Sequence, residues 1–293
     1  MIGDRTILEF PRSGTTVVSF GHAHDVLCCI AAGPGGYPLH ILIDTGTDPS
    51  AIDLRLARRI ALQMGGSGFG RGAASDMVEF TETELPWLRL GELTIRNLFA
   101  PALDLSTMPF PVDVVLGYNV IRQISLQINY QHHWLAITHP DVTPAPISER
   151  GAILPMGFFE HFPALHTLVI EGQHIPLVTL DTGSNSTLTV GPDLAKPLGL
   201  FPGAANVTAA YGTGFGGSST VLQRSCPEIH LGPFRLPDVG LDAQLGLVGD
   251  LARTGRANIG NGLLSRFAQV SIDYERGWLT LDPGEQNDIT LIG

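Results

Sequence analysis

Short apolar runs, each closed by a turn residue, recur along the whole chain. Ile41-Leu42-Ile43 and Leu177-Val178-Thr179-Leu180 read as buried strands. Leu88-Arg89-Leu90-Gly91 and Ile229-His230-Leu231-Gly232 alternate apolar and polar positions before a glycine, the pattern of a half-buried strand entering a turn. Gly117 is followed by apolar Val120, Ile121 and Ile124, and Gly260 by Leu263, Leu264 and Phe267. That spacing is one face of a short helix. Each helix leads into a closing strand, Leu126-Gln127-Ile128-Asn129-Tyr130 through Trp134 and Val270-Ser271-Ile272-Asp273-Tyr274 through Trp278. Further short helices are expected at Ala51 to Gln63 and Pro192 to Leu198. The rest reads as strands and turns.

These elements occur twice in the same order, which is the mark of an internally duplicated chain. Each copy also carries the triplet Asp-Thr-Gly, at Asp44–Gly46 and Asp181–Gly183, directly after its apolar run and before a hydroxyl residue, Thr47 or Ser184. A glycine-rich stretch follows in both, Ser67-Gly68-Phe69-Gly70 and Thr213-Gly214-Phe215-Gly216. Pro140, Pro144 and Pro146 lie in a stretch without apolar periodicity. The expected division is an N-terminal half over 1–138, a linker over 139–152 and a C-terminal half over 153–293.

Composition narrows the class. With 35 glycines and 21 prolines among 293 residues, a helical bundle is excluded and an all-β chain favoured. No run of about 18 apolar residues is present, so no membrane span is expected. A net charge of −11 argues against nucleic acid as a partner. The first residues lack a basic segment followed by an apolar one, so no secretory signal is visible, and the compartment stays open. Cys28, Cys29 and Cys226 form neither a disulfide framework nor a metal motif.

An Asp-Thr-Gly-Ser/Thr sequence at the end of an apolar strand, followed later by an apolar-Gly turn into a short helix, resembles the aspartic proteases. The segment Ile259-Gly260-Asn261-Gly262-Leu263-Leu264 resembles the second signature of the retroviral-type branch. The resemblance implies a bilobal all-β fold of two retropepsin-like barrel lobes in one chain, with the cleft between them. It implies that Asp44 and Asp181 meet across a pseudo-twofold axis and share one proton. They would then act as an aspartic endopeptidase on a peptide or protein substrate at acidic pH, with no metal and no cofactor. It gives supporting roles to six further residues. Gly46 and Gly183 aim N–H groups at the carboxylates, Thr45 and Thr182 lock the loops together, and Thr47 and Ser184 donate to the outer carboxylate oxygens. Gly68, Phe69, Gly70, Gly214, Phe215 and Gly216 become substrate-binding flaps, one in each half. Because both loops lie in one chain, a monomer suffices. Thr6 to Phe10 and Asp288 to Ile292 are expected to pair in a shared sheet beneath the lobes.

The chain departs from the family pattern at Asn258, two residues before Gly260, where an apolar residue is usual, and in lacking a flap tyrosine in the first half. Two other readings stand beside the enzyme: a catalytically inactive peptide-binding module on the same scaffold, and a processing enzyme of narrow specificity. His22-Ala23-His24-Asp25 is similar to a metallo-hydrolase signature, but Val26 stands where another histidine is needed. The glycine-rich stretches lack phosphate-loop spacing.

Overall fold

The computed structural model describes residues 2–21, 25–73, 75–144, 146–214, 217–246, 249, 253, 255–285 and 288–292. These are mostly strand. The first half runs β1 (Ile7–Glu9), β2 (Thr15–Ser19), β3 (Cys28–Ala32), β4 (Pro38–Ile43), β5 (Ala51–Asp53), α1 (Leu54–Arg59), β6 (Met64–Gly70), β7 (Val78–Leu90), β8 (Leu93–Phe99), β9 (Ala102–Leu103), β10 (Val114–Leu116), α2 (Tyr118–Ile121), β11 (Ser125–Asn129) and β12 (Trp134–Thr138). The second runs β13 (Ala152–Pro155), β14 (Gly157–Phe159), β15 (Phe162–Leu165), β16 (Leu168–Ile170), β17 (Gln173–Ile175), β18 (Val178–Asp181), β19 (Leu188–Val190), α3 (Pro192–Ala195), β20 (Thr208–Gly214), β21 (Gly217–Leu231), β22 (Phe234–Gln244), β23 (Ala257–Gly260), α4 (Asn261–Leu264), β24 (Gln269–Asp273), β25 (Trp278–Asp282) and β26 (Thr290–Leu291). No described helix is long and apolar enough to cross a membrane.

Among the described residues there are three sheets. A nine-stranded sheet is ordered β1-β8-β7-β3-β4-β10-β5-β9 with β6 on β7, and Thr81↔Ala102 joins β9 back to β7. An eleven-stranded sheet is ordered β14-β15-β18-β23-β19-β22-β21-β16-β17, with β20 on β21 and β26 on β22. Both halves contribute to a third, six-stranded sheet, β13-β25-β24-β11-β12-β2. Its central pair is the two closing strands, β11 antiparallel to β24 with Gln127 opposite Ser271. Leu126, Ile128, Val270 and Ile272 on one face of that pair are fully buried. Each such side chain contributes about 1.5–3 kcal/mol on leaving water.

The repeated pairings explain the repeated sequence. β4 runs parallel to β10, and β18 parallel to β23. Each Leu-Gly pair closes a two-residue hairpin, with Gly91 at φ +59° and Gly232 at φ +57°, a backbone region where a side chain is strained.

Two expectations change. Ala51–Asp53 is strand, because Ala51 and Ile52 are needed opposite Val115 and Val114; the helix starts only after Asp53, whose carboxylate caps it by accepting from the N–H groups of Arg55 and Leu56. The chain ends do not pair with each other. β1 lies on β8 and β26 on β22, and the closing hairpins, with their longer apolar faces, occupy the shared sheet.

Candidate active site

Alternation along a strand sends neighbouring side chains to opposite faces. Ile41 and Ile43 of β4 enter the main core, so Leu42 and Asp44 share the other face. In β18, Val178 and Leu180 enter the core, which leaves Thr179 and Asp181 on the face equivalent to that of Asp44. Parallel pairing then brings each aspartate beside a glycine. The Asp44 N–H donates to Leu116 O at 3.0 Å, next to Gly117, and Asp181 lies opposite Gly260. Both glycines are required by closeness. A Cβ on Gly117 would overlap the Thr47 carbonyl, and one on Gly260 the Ser186 carbonyl.

The two loops hold each other through threonines. The Thr45 hydroxyl donates to Leu180 O at 2.8 Å and accepts from Thr182 N–H at 3.0 Å. The Thr182 hydroxyl donates to Ile43 O at 2.8 Å and accepts from Thr45 N–H at 3.1 Å. All four bonds are buried.

This exchange brings the carboxyls together. The two carboxyls converge, each packed against the other loop's glycine and near enough for the charge of Asp44 to bear on Asp181. A Cβ on Gly46 would lie 2.7 Å from the Asp181 carboxyl carbon, and one on Gly183 would overlap the Asp44 carboxyl. Within each loop, Gly46 N–H donates to Asp44 Oδ1 at 2.7 Å and Gly183 N–H to Asp181 Oδ1 at 3.0 Å.

The outer supports differ. The Thr47 hydroxyl donates to Asp44 Oδ2 at 2.6 Å. Ser184, expected to do the same for Asp181, instead lies 2.9 Å from the Ser186 hydroxyl, which also accepts from Thr189. The reason is loop length. The strand residue opposite Val115 is Ala51, seven after Asp44, while that opposite Asn258 is Thr189, eight after Asp181. The extra residue turns Ser184 away. Asn258 supplies the missing donor, its Nδ2 lying 3.3 Å from Asp181 Oδ2. Sequence reasoning missed this role, although the departure from an apolar residue at Asn258 was its visible signal.

Burial is the largest cause pushing both carboxyls above the usual carboxylate range. For Asp44 the bonds from Thr47 and Gly46 pull back. For Asp181 the nearby Asp44 charge pushes further in the same direction, so it is held well above. The pair titrates as a unit, and the shorter donors on Asp44, at 2.6 and 2.7 Å against 3.3 and 3.0 Å on Asp181, favour Asp44 as the anion and Asp181 as the seat of a shared proton.

The glycine-rich stretches lie on hairpins. Gly68, Phe69 and Gly70 pair with Phe80, Glu79 and Val78, and Phe69 is 65% exposed, outside both apolar cores. The turn beyond it reaches the other half, where Gly249 N–H donates to Asp76 Oδ1 at 3.0 Å. Gly214 ends β20, while Phe215 and Gly216 lie outside the described residues. His22 and His24 do as well. Among the described residues no cluster of three or more metal-ligating side chains occurs.

A second cluster joins the halves, starting four residues beyond Asp44 in the chain. Asp48 pairs with His161, whose ring stacks on Tyr118 at 4.4 Å. An open groove of about 850 Å³ lies against Tyr37, Arg55 and Met108, but contains neither aspartate. Its two carboxylates, Asp53 and Asp113, are committed to capping α1 and to His40, so the chemistry points to the dyad.

Residues 30–120, about a third of the chain, match the family model described as aspartyl protease. The match runs from β3 to α2 and includes the first Asp-Thr-Gly loop. No curated protein shows a significant match.

Proposed function

We propose that this chain is an aspartic-type endopeptidase that hydrolyses peptide bonds with a water held between Asp44 and Asp181. The observation that carries the reading is the convergence of two carboxyls, one from each Asp-Thr-Gly loop, each packed against the other loop's glycine. Ionised Asp44 takes a proton from the water as it attacks the scissile carbonyl carbon. Asp181 donates its proton to the carbonyl oxygen, giving a neutral tetrahedral intermediate. Asp44 then protonates the leaving amine as the C–N bond breaks, and a hydroxyl of the intermediate gives its proton back to Asp181 as the carbonyl re-forms, which restores the singly protonated pair. This is general acid–base catalysis with no covalent enzyme intermediate.

In this reading residues 1–138 and 153–293 form two lobes of the retropepsin-like kind, with 139–152 between them, and one chain builds the whole site. Peptide lies extended in the cleft under the β6–β7 and β20–β21 hairpins, bound as an added strand. Activity is highest at acidic pH, where the pair carries one proton.

The test is cleavage of an unfolded protein between pH 3 and pH 7 by the wild type, Asp44→Asn and Asp181→Asn. Bell-shaped wild-type activity and its loss in both variants are expected. Binding of peptide without cleavage in the wild type would favour an inactive peptide-binding module. Full activity in either variant would remove the mechanism.

A further inference from the structure

Each aspartate is supported from outside, but by a different chemical group. On Asp44 it is a hydroxyl at 2.6 Å; on Asp181 it is an amide at 3.3 Å. The amide is not free to turn. The Thr179 hydroxyl donates to Asn258 Oδ1 at 2.7 Å, which leaves Nδ2 to face the carboxylate. Thr179 and Asn258 are 3% and 8% exposed. Strand register matches them to Leu42 and Val115 in the first half, neither of which has a side-chain polar atom to offer. Ser184 is committed to Ser186.

We propose that Asn258, oriented by Thr179, is a positioning residue that replaces Ser184 as the outer support of Asp181, and that this longer, weaker bond leaves the shared proton on Asp181 and the charge on Asp44. The inference rests on the catalytic reading above. A short hydroxyl bond to a carboxylate stabilises its anion more than a long amide bond does. The other titratable groups bearing on Asp181 are Asp44 itself and Tyr274; Asp242 lies opposite Thr189 in the parallel β19–β22 pair, and Arg256, two residues before Asn258, turns its guanidinium onto the Phe159 ring.

The arrangement separates the two limbs of the pH–rate profile. The acidic limb reports formation of the Asp44 anion, and the basic limb reports loss of the last proton from Asp181. Asn258→Val, which copies Val115, is expected to raise the basic limb by about half to one pH unit and leave the acidic limb in place. Thr179 keeps a partner in that variant, because its hydroxyl also reaches Ala257 O at 3.3 Å. Thr47→Val is expected to raise the acidic limb, and Ser184→Ala to move neither. Asp242→Asn separates any contribution from that carboxyl. If Asn258→Val does not fold, Thr179→Val frees the amide to turn and shifts the same limb by less. A carbon-13 titration of the Asp181 carboxyl reads the same shift without turnover. An inactive wild type that still shows the Asn258-dependent titration would remove the catalytic reading and keep this assignment. Unmoved limbs and an unmoved Asp181 titration in Asn258→Val would overturn it, as would a basic limb that moves with Ser184→Ala.

Discussion

The two halves use the same frame but finish it differently. In one, Tyr130 donates to Asn261 Oδ1 at 2.5 Å, and Asn261 Nδ2 in turn holds Thr182 O at 2.7 Å. The tyrosine at the same place in the other closing strand, Tyr274, faces Tyr118 where the first pair has an asparagine. Its hydroxyl is buried and finds no partner among the described residues. Tyr118 stacks on His161 instead. The face that carries the aspartate diverges as well. Around Asp44 it is apolar, with Leu42, Ala51 and Val115 packed together. Around Asp181 it carries Thr179, Thr189 and Asn258, all buried. The backbone closeness demanded at Gly117 and Gly260 is shared, whereas side-chain chemistry that only tunes the site has drifted apart. Geometry repeats where overlap would forbid change, and polarity varies where a hydrogen-bond partner can be found.

The sharpest way to break the comparison is at the dyad. Asp44→Asn and Asp181→Asn are each expected to lower kcat/KM by at least about 10³-fold, measured on an unfolded protein substrate at the pH optimum. Unequal losses would show that the halves are chemically distinct. Thr45→Val and Thr182→Val come next. Each strands a buried N–H and a buried carbonyl, so each is expected to cost about 3 kcal/mol in urea unfolding. The double variant should cost less than the sum, because the four bonds form one reciprocal set.

Asp242 sharpens the comparison through pH. Burial pushes its pKa up to about 6. A group that binds its proton more tightly folded than unfolded loses stability as pH rises from the unfolded value toward the folded one. Between about pH 4 and pH 6 that loss is about 3 kcal/mol or less. Asp242→Asn should flatten this part of the stability curve; an unchanged curve would show that the carboxyl is solvated. The smallest effects belong to the tyrosines. Tyr130→Phe is expected to cost about 1–2 kcal/mol, since Asn261 loses a partner, while Tyr274→Phe should change stability by no more than about 0.5 kcal/mol. Equal costs would mean that Tyr274 has a partner after all.

Much of this was legible in the chain. Asp-Thr-Gly after an apolar run, Leu-Gly before a hairpin and Gly before a short helix each answer to a local backbone demand, and local demands can be read one copy at a time. What could not be read depended on a distant partner. Ser184 follows its triplet just as Thr47 does, but its direction is set by one extra residue before Thr189. Asn258 looks like a misplaced polar residue until Thr179 and Asp181 are seen on either side of it. Ala51 sits in an apolar helix-like pattern, yet pairing with Val115 makes it strand. The terminal segments alternate like strands, but nothing in them says which of three sheets has a free edge.

The strand pair that places Gln127 opposite Ser271 has a further consequence. Two identical subunits joined at such a seam would receive every substitution twice, once on each side of the axis. A single polypeptide spanning the seam receives it once. One side could therefore acquire an amide beside its acid while the other kept valine, giving two like acids unlike duties without a second gene.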